Sequence, residues 1–189
     1  MGNLHVFENV TLDGYFTGED GDLSWAHARG GDDEDWNDFI AGNASRGGTL
    51  LLGRKTFEMM KAYWPTPQAK KEAPEVAAGM NRMQKVVVSR TLDDPGWSNT
   101  EVINGDLAEE VRKLKQAADN DITILGSGSI VAQLAAEGLI DDYQVIVNPV
   151  VLGKGRSLFE GVEQAPNLKL LKTRAFKNGN VLLSYEAEN

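Results

Sequence analysis

The sequence predicts an α/β protein with a largely parallel, mixed sheet and an antiparallel hairpin at its C-terminal end. Three observations carry that reading. Apolar runs of strand length alternate with segments of helical period through most of the chain. Leu50-Leu51-Leu52 and Val86-Val87-Val88 are continuous apolar runs, the pattern of strands covered on both faces. Leu168 to Phe176 and Val181 to Ala187 flank Asn178-Gly179, a turn signal for an antiparallel pair.

Taken in order, Leu4 to Val10 reads as the first strand, ended by the Asp13-Gly14 turn. A Gly- and Asp-rich loop follows to Gly31. From Asp33, Trp36, Phe39 and Ile40 keep helical spacing, and this helix stops near Gly47-Gly48. The acidic cluster Asp32 to Asp35 suits a solvated helix start. Thr49 to Leu52 is a strand, and Arg54 to Ala62 a short helix halted by Trp64-Pro65. Pro65 to Gln84 reads as polar and irregular, with one helical turn around Glu75 to Ala78. Lys85 to Ser89 and Glu101 to Ile103 are strands, and Asp106 caps a helix carrying Leu107, Val111 and Leu114. Ile122 to Leu125 is a strand followed by a helix to Glu137, and Tyr143 to Asn148 is the next strand. No repeat, low-complexity segment or linker interrupts the pattern, so a single domain over residues 1–189 is expected.

The composition narrows the function. A net charge of -9 argues against a nucleic-acid partner, whose phosphates need clustered Lys and Arg. The chain has no cysteine, which excludes disulfides, thiolate metal sites and a Cys nucleophile, and fits a cytoplasmic address. MGNLHVFENV lacks the basic start and apolar core of a signal peptide, and no apolar run approaches the ~20 residues that span a bilayer. A soluble protein without a membrane partner is expected. His5 and His27 lie too far apart to suggest metal-ligand spacing, so no metal is expected. No strong base stands near Ser127 or Ser129, which weakens a hydrolase reading.

Three strand ends carry groups suited to phosphate. Gly53-Arg54-Lys55-Thr56 opens one helix, Ser89-Arg90-Thr91 ends a strand, and Gly126-Ser127-Gly128-Ser129 opens another helix. Open α/β sheets bind ligands outside the carboxyl ends of their strands. Helix N-termini carry unpaired N–H groups and partial positive charge, and an Arg forks onto phosphate. Two helix starts and a separate basic strand end match a dinucleotide with a pyrophosphate and a 2′-phosphate. Alone, Gly126 to Ser129 reads equally as a tight turn. It lacks the third glycine of G-x-G-x-x-G, since Val131 stands there, and the chain holds no G-x-x-x-x-G-K-[ST].

These pieces resemble the dihydrofolate reductase-like superfamily, in particular the C-terminal reductase domain of the bacterial riboflavin-biosynthesis deaminase-reductase and its free-standing relatives. NVTLDGYFTGEDGDLSW, LLGRKTFEMMKAYWP, VVVSRTL, ILGSGSIVAQLAAEGLIDDYQVIVNPVVLGKGRSLF and the final hairpin occur in the expected order over nearly the whole chain. The resemblance implies a three-layer α/β/α fold, an NADPH-dependent reductase and a homodimer. It places the cofactor on Gly53, Arg54, Thr56, Ser89, Arg90 and the turn Gly126, Ser127, Gly128, Ser129, Ile130. It sets Thr11, Leu12, Asp13 and Gly14 beside nicotinamide and substrate, with Asp13 as the substrate-orienting carboxylate. Tyr15, Phe16 and Trp25 are candidates to wall a flat substrate. Asn37, between Asp35 and Asp38, stands where true dihydrofolate reductases carry the acid that grips the pterin, a departure from folate reduction. Lys154 and Arg156 are candidates for a substrate phosphate. The reaction this implies is hydride transfer to a C=O or C=N carbon of a pterin-like or ribosylaminopyrimidine substrate. The alternative is a non-catalytic nucleotide-binding or regulatory dimer that keeps the cofactor groove.

Overall fold

The computed structural model describes residues 1–27, 33–126, 128–163 and 166–188. Along the chain run β1 (Leu4–Thr11), β2 (Tyr15–Thr17), α1 (Ser24–His27), α2 (Glu34–Ser45), β3 (Thr49–Gly53), α3 (Arg54–Tyr63), α4 (Pro67–Glu72), α5 (Pro74–Arg82) and β4 (Gln84–Val88). There follow β5 (Thr100–Ile103), α6 (Leu107–Ala117), β6 (Ile122–Leu125), α7 (Gly128–Ala136), β7 (Asp142–Asn148), β8 (Arg156–Ser157), β9 (Leu168–Ala175) and β10 (Val181–Ala187). The fold class is mixed α/β, with mostly parallel strands and antiparallel pairing at the C-terminal end. The chain divides into two compact units, Met1–Asn3 with Asp38–Ser127, and Leu4–Asn37 with Gly128–Asn189.

The first unit is built on the strand order β5-β4-β3-β6, every pair parallel. Leu50, Leu51 and Leu52 are all buried, as their continuous apolar run requires. Leu50, Leu52 and Val87 join Phe57 of α3, Met80 of α5, Met83 and Trp97 in one apolar core. Burying each of the larger side chains contributes about 1.5–3 kcal/mol.

The segment expected to be irregular instead forms two helices, α4 and α5. Pro67 and Pro74 stand in their first turns, where the missing N–H would have no partner anyway. Thr66 Oγ1 caps α4 by accepting from the Ala69 N–H at 3.2 Å. At 6 and 9 residues these helices are too short to hold themselves, and burial of Ala69, Ala77 and Met80 stabilises them.

Lys85 of β4 is fully buried in this unit. Its Nζ donates to the carbonyls of Met83 at 2.7 Å and Met80 at 3.1 Å, and lies 4.4 Å from the centre of the Trp97 ring. The ammonium thereby satisfies carbonyls that the end of α5 leaves without helical partners. Trp97 Nε1 donates to Asn81 Oδ1 at 2.8 Å, and Asn81 Nδ2 donates to the carbonyls of Ala77 and Trp64. Burial pushes the Lys85 amine down from 10.5 to about 8. Between these two values the unfolded chain holds a proton that the folded chain has released, so Lys85 makes stability rise with pH across that window. Lys85→Met is expected to lose this upward slope and to cost about 1–3 kcal/mol at neutral pH, because the carbonyls lose their donor. Denaturant unfolding at a series of pH values from 7 to about 10 checks both, and identical pH slopes in the two proteins would remove the assignment.

The second unit contains the order β1-β7-β10-β9. β1 and β7 run parallel from His5↔Asp142 to Thr11↔Asn148, while β10 is antiparallel to both β7 and β9. The hairpin turns at Asn178-Gly179 as expected, with Gly179 at φ 90°. α7 buries Ile130, Val131, Leu134 and Ala135. The ribbon of β2 with β8 was not legible in the sequence, because strands of 3 and 2 residues carry no periodic signal.

The acidic cluster also differs from expectation. Asp33 is buried rather than solvated, accepting from the Trp36 N–H at 3.2 Å and the Asn178 N–H at 2.9 Å. It caps α2 and ties it to the hairpin turn, while Trp36 meets Phe176 edge-on at 5.1 Å. Asp32 lies outside the described residues.

Candidate functional site

In the first unit the strand order steps from β3 through β4 to β5 on one side and places β6 on the other. Such a reversal leaves a crevice at the strand carboxyl ends, the usual ligand position in open α/β sheets. The three strand ends singled out in the sequence are linked there. Gly53 closes β3, and among the described residues no side chain caps the ten-residue helix α3, whose first turn contains no acid. Its first N–H groups are therefore oriented for an anion. Arg54 Nη1 donates to Thr91 Oγ1 at 2.9 Å, tying the end of β4 to the start of α3. Its Nε also lies 3.8 Å from Glu58.

Ser89 is buried, and its Oγ accepts from the N–H groups of Thr91 at 3.2 Å and Leu92 at 3.1 Å. That turn projects Arg90 into solvent, where it makes no hydrogen bond or ion pair among the described residues. Of the two arginines, Arg90 is the one whose guanidinium is uncommitted.

Thr56 faces Gly126 at the end of β6. A Cβ on Gly126 would lie 2.7 Å from Thr56 Cγ2, and the glycine has φ 72°. Packing and backbone conformation thus require this glycine before any ligand is considered. Gly126→Ala is expected to cost about 1–3 kcal/mol in denaturant unfolding, with part of the loss recovered by adding Thr56→Ser, which deletes the opposing methyl. No recovery in the double variant would show that Thr56 is not the obstacle.

Ser127 lies outside the described residues. Gly128, Ser129 and Ile130 form the start of α7 in the second unit. A Cβ on Gly128 would lie 2.5 Å from the Phe16 ring, so the aromatic ring takes the space that glycine leaves. The Ile130 side chain is in the core, leaving only its backbone for a ligand, and Ser129 is exposed.

Asp13 organises the second unit's loops. Thr11 Oγ1 donates to Asp13 Oδ1 at 2.6 Å and accepts from the Tyr15 N–H at 3.0 Å. Gly14 turns the chain at φ 86°, its N–H donating to the Thr11 carbonyl at 2.9 Å. Asp13 also accepts from the N–H groups of Leu152 at 3.3 Å and Gly153 at 2.7 Å. The Thr11 hydroxyl above all, then the amides of Gly153 and Leu152, hold this carboxyl below its ordinary 3.8. Asp13 is therefore ionised at neutral pH, an acceptor rather than a proton donor.

The remaining candidates are placed unevenly. Tyr15 is half-buried on β2, whereas Trp25 is buried with its indole N–H donating to the Asp22 carbonyl at 3.2 Å. Asn37 is exposed on α2, and its neighbour Asp35 pairs with Arg174. Lys154 is engaged by Glu19 at 2.6 Å, while Arg156 stands 5.8 Å from the centre of the Phe16 ring. Sequence reasoning missed Thr91, Leu152 and Gly153 as partners of the candidate residues. Thr91 follows Ser89-Arg90 directly, and the glycine in Val151-Leu152-Gly153-Lys154, at φ 74°, was the available signal for the loop that meets Asp13. Among the described residues no cluster of His, Cys, Asp or Glu could hold a metal ion, and no helix is long and apolar enough to cross a membrane.

A family model described as the RibD C-terminal domain matches residues 3–182. The chain belongs to the RibD C-terminal domain family. The uncharacterized protein YyaP of Bacillus subtilis (strain 168) is 34% identical to it over 176 residues, covering 93% of this chain and 90% of YyaP. Among solved structures, a putative riboflavin biosynthesis protein from Shewanella sp. PV-4 superposes with TM-score 0.77 at 21% identity, covering 100% of both chains. Dihydrofolate reductase from Enterococcus faecalis, complexed with NADP(H) and RAB-propyl, gives TM-score 0.65 at 16% identity, covering 100% of this chain and 98% of that one. These likenesses show a dihydrofolate reductase-like fold for this RibD C-terminal domain protein. Family membership supports a reductase-like role.

Proposed function

We propose that this protein is an NADPH-dependent reductase that delivers hydride to a C=O or C=N carbon of a small pterin-like or ribosylaminopyrimidine substrate. The observation that carries the reading is the linkage of three phosphate-type strand ends in one unit, where Arg90 makes no hydrogen bond or ion pair among the described residues and precedes the Thr91 that Arg54 of the uncapped α3 binds. Gly53, Arg54, Thr56, Ser89 and Gly126 hold the cofactor's phosphates, and Arg90 takes the 2′-phosphate. When bound, NADPH supplies the hydride. Asp13 orients the substrate by accepting a hydrogen bond from it, and as a carboxylate leaves proton delivery to an ordered water. Arg156, which has no carboxylate partner among the described residues, is better placed than Lys154 for a substrate phosphate. The whole chain acts as one domain, as a cytoplasmic homodimer. The dihydrofolate reductase neighbour with NADP(H) supports the cofactor assignment, and the Shewanella protein supports the substrate class.

Titrating the purified protein with NADPH and following nicotinamide fluorescence tests the reading; no binding at millimolar cofactor overturns it. A second reading, a nucleotide-binding dimer without chemistry, is favoured by two observations. Asp13 uses both oxygens to hold neighbouring loops, and Asp35 is paired with Arg174. Hydride transfer to any pterin or ribosylaminopyrimidine excludes it.

A further inference from the structure

Three buried polar residues stand in one row where strands of the second unit end. Thr11 of β1 pairs with Asn148 of β7 in the parallel register. Val181 of β10 pairs with Val147, so Asn180, one residue earlier, falls opposite Asn148. Gly179 continues the register beside Pro149, since a Cβ there would lie 3.1 Å from Pro149 Cγ. Residues opposed in this way share a face of the sheet. Asn148 is 0% exposed, and Thr11 and Asn180 are 1% exposed. The Thr11 hydroxyl is committed, donating to Asp13. Asn148 Nδ2 donates to Asn9 Oδ1 at 3.1 Å and to the carbonyls of Val10 and Ile146, both at 3.3 Å. Those acceptors fix which end of the carboxamide is the nitrogen. Its Oδ1 and the Oδ1 of Asn180 are buried with no donor among the described residues. Buried acceptors are almost always met, so two in one row call for a shared donor.

We infer that Asn148 and Asn180 hold one buried water between their Oδ1 atoms, and that this bridge positions the turn carrying Asp13. A water fits the chemistry. It has two hydrogens to donate, and both oxygens are neutral amide acceptors. A metal ion would find two neutral ligands where hard cations take about six or more. The link to Asp13 follows from the bonds on either side. Asn148 clasps β1 to β7 near their last residues, and both arms of the Asp13 site leave from that clasp. β1 runs through Thr11 and Leu12 into Asp13, and β7 runs through Pro149 to Leu152 and Gly153, whose N–H groups donate to Asp13. The Asn148 carbonyl accepts from the Val150 N–H at 2.8 Å, and the Val150 carbonyl from the Leu12 N–H at 2.8 Å. Asn180 is anchored from the far side. Its N–H donates to Asn178 Oδ1 at 3.0 Å, and its carbonyl accepts from the Phe176 N–H at 2.9 Å. The Asn178 N–H in turn donates to Asp33 at 2.9 Å. The water therefore joins the hairpin turn and the start of α2 to the strand ends that present Asp13. Only the bearing of this on substrate rests on the proposed reductase activity.

A crystal structure of the wild-type chain at about 1.5 Å resolution is the first test. One ordered water is expected within about 3.2 Å of both oxygens. Asn180→Leu keeps the shape and deletes the acceptor. It is expected to lose the water and to exchange the Leu12 and Gly153 amide hydrogens about tenfold faster than wild type. Asn180→Asp keeps an oxygen at the same place, and is expected to keep both the water and the wild-type exchange. If either fails to fold, Asn180→Ala and Asn180→Ser, which differ by one accepting hydroxyl, replace the pair with the same expectations. A wild-type structure in which either oxygen meets a protein donor, or the two share no water, overturns the site. A metal ion between them does so as well. Unchanged exchange in Asn180→Leu overturns the link to Asp13. Exchange in Asn180→Asp as fast as in Asn180→Leu does too, because the oxygen would then not be what holds the turn. None of these readings uses cofactor or substrate, so their failure is distinct from failure of the reductase reading.

Discussion

Arg90→Ala is expected to weaken NADPH binding on the order of 100-fold while changing NADH binding by less than about threefold. The asymmetry follows from commitment. Arg54 already donates to Thr91 Oγ1 and lies near Glu58, so its removal disturbs the strand ends themselves and should weaken both cofactors. Arg90 makes no hydrogen bond or ion pair among the described residues, so its loss deletes only what it offers a ligand. Arg90→Lys keeps the charge but not the planar fork, and should fall between, about tenfold weaker than wild type. The preference for NADPH should narrow below about pH 6, where a phosphate monoester takes up a proton. Paired titrations with the two cofactors decide the matter. Equal losses for both would remove the 2′-phosphate from Arg90.

Asp13→Asn is expected to lower kcat/KM on the order of 100-fold and to leave NADPH affinity within about twofold. An amide at this position would turn one N–H₂ group toward the N–H groups of Leu152 and Gly153, which need acceptors. The loop then shifts, and the carboxylate proposed to orient the substrate is gone. The Thr11 hydroxyl and the two amides keep the wild-type carboxyl below 3.8, so its stabilising bonds are present above that value and are lost only as pH falls through its lower folded value. The rate profile should therefore show no limb from Asp13 between about pH 5 and 8. A limb near pH 6 that vanishes in Asp13→Asn would make Asp13 the acid and overturn its assignment as an acceptor.

The elements legible in the sequence are those whose pattern is local. β3 and β4 announce themselves as continuous apolar runs because both faces are covered. The cap of α6 was visible in Asp106, whose side chain accepts from the Glu109 N–H at 3.0 Å. The hairpin was visible in Asn178-Gly179, where the backbone needs positive φ. α4 and α5 were missed because Pro67 and Pro74 look like breakers until their place in a first turn is known. Asp33 was misjudged as solvated because its partner, the Asn178 N–H, comes from the far end of the chain.

The candidate site divides in the same way. Residue type and position at a strand end marked Gly53, Arg54, Ser89, Arg90 and Gly126, since the chemistry of anion binding is carried by single residues at helix starts and turns. By itself the sequence determined the fold class, the strand ends that carry phosphate-type groups and the family. Only the tertiary structure decided which arginine makes no ion pair or hydrogen bond among the described residues, that Gly126 is required by Thr56, and that Asp13 is held as a carboxylate by Thr11, Gly153 and Leu152. Those facts depend on contacts between residues far apart in the chain. Local propensity and period carry no information about such contacts.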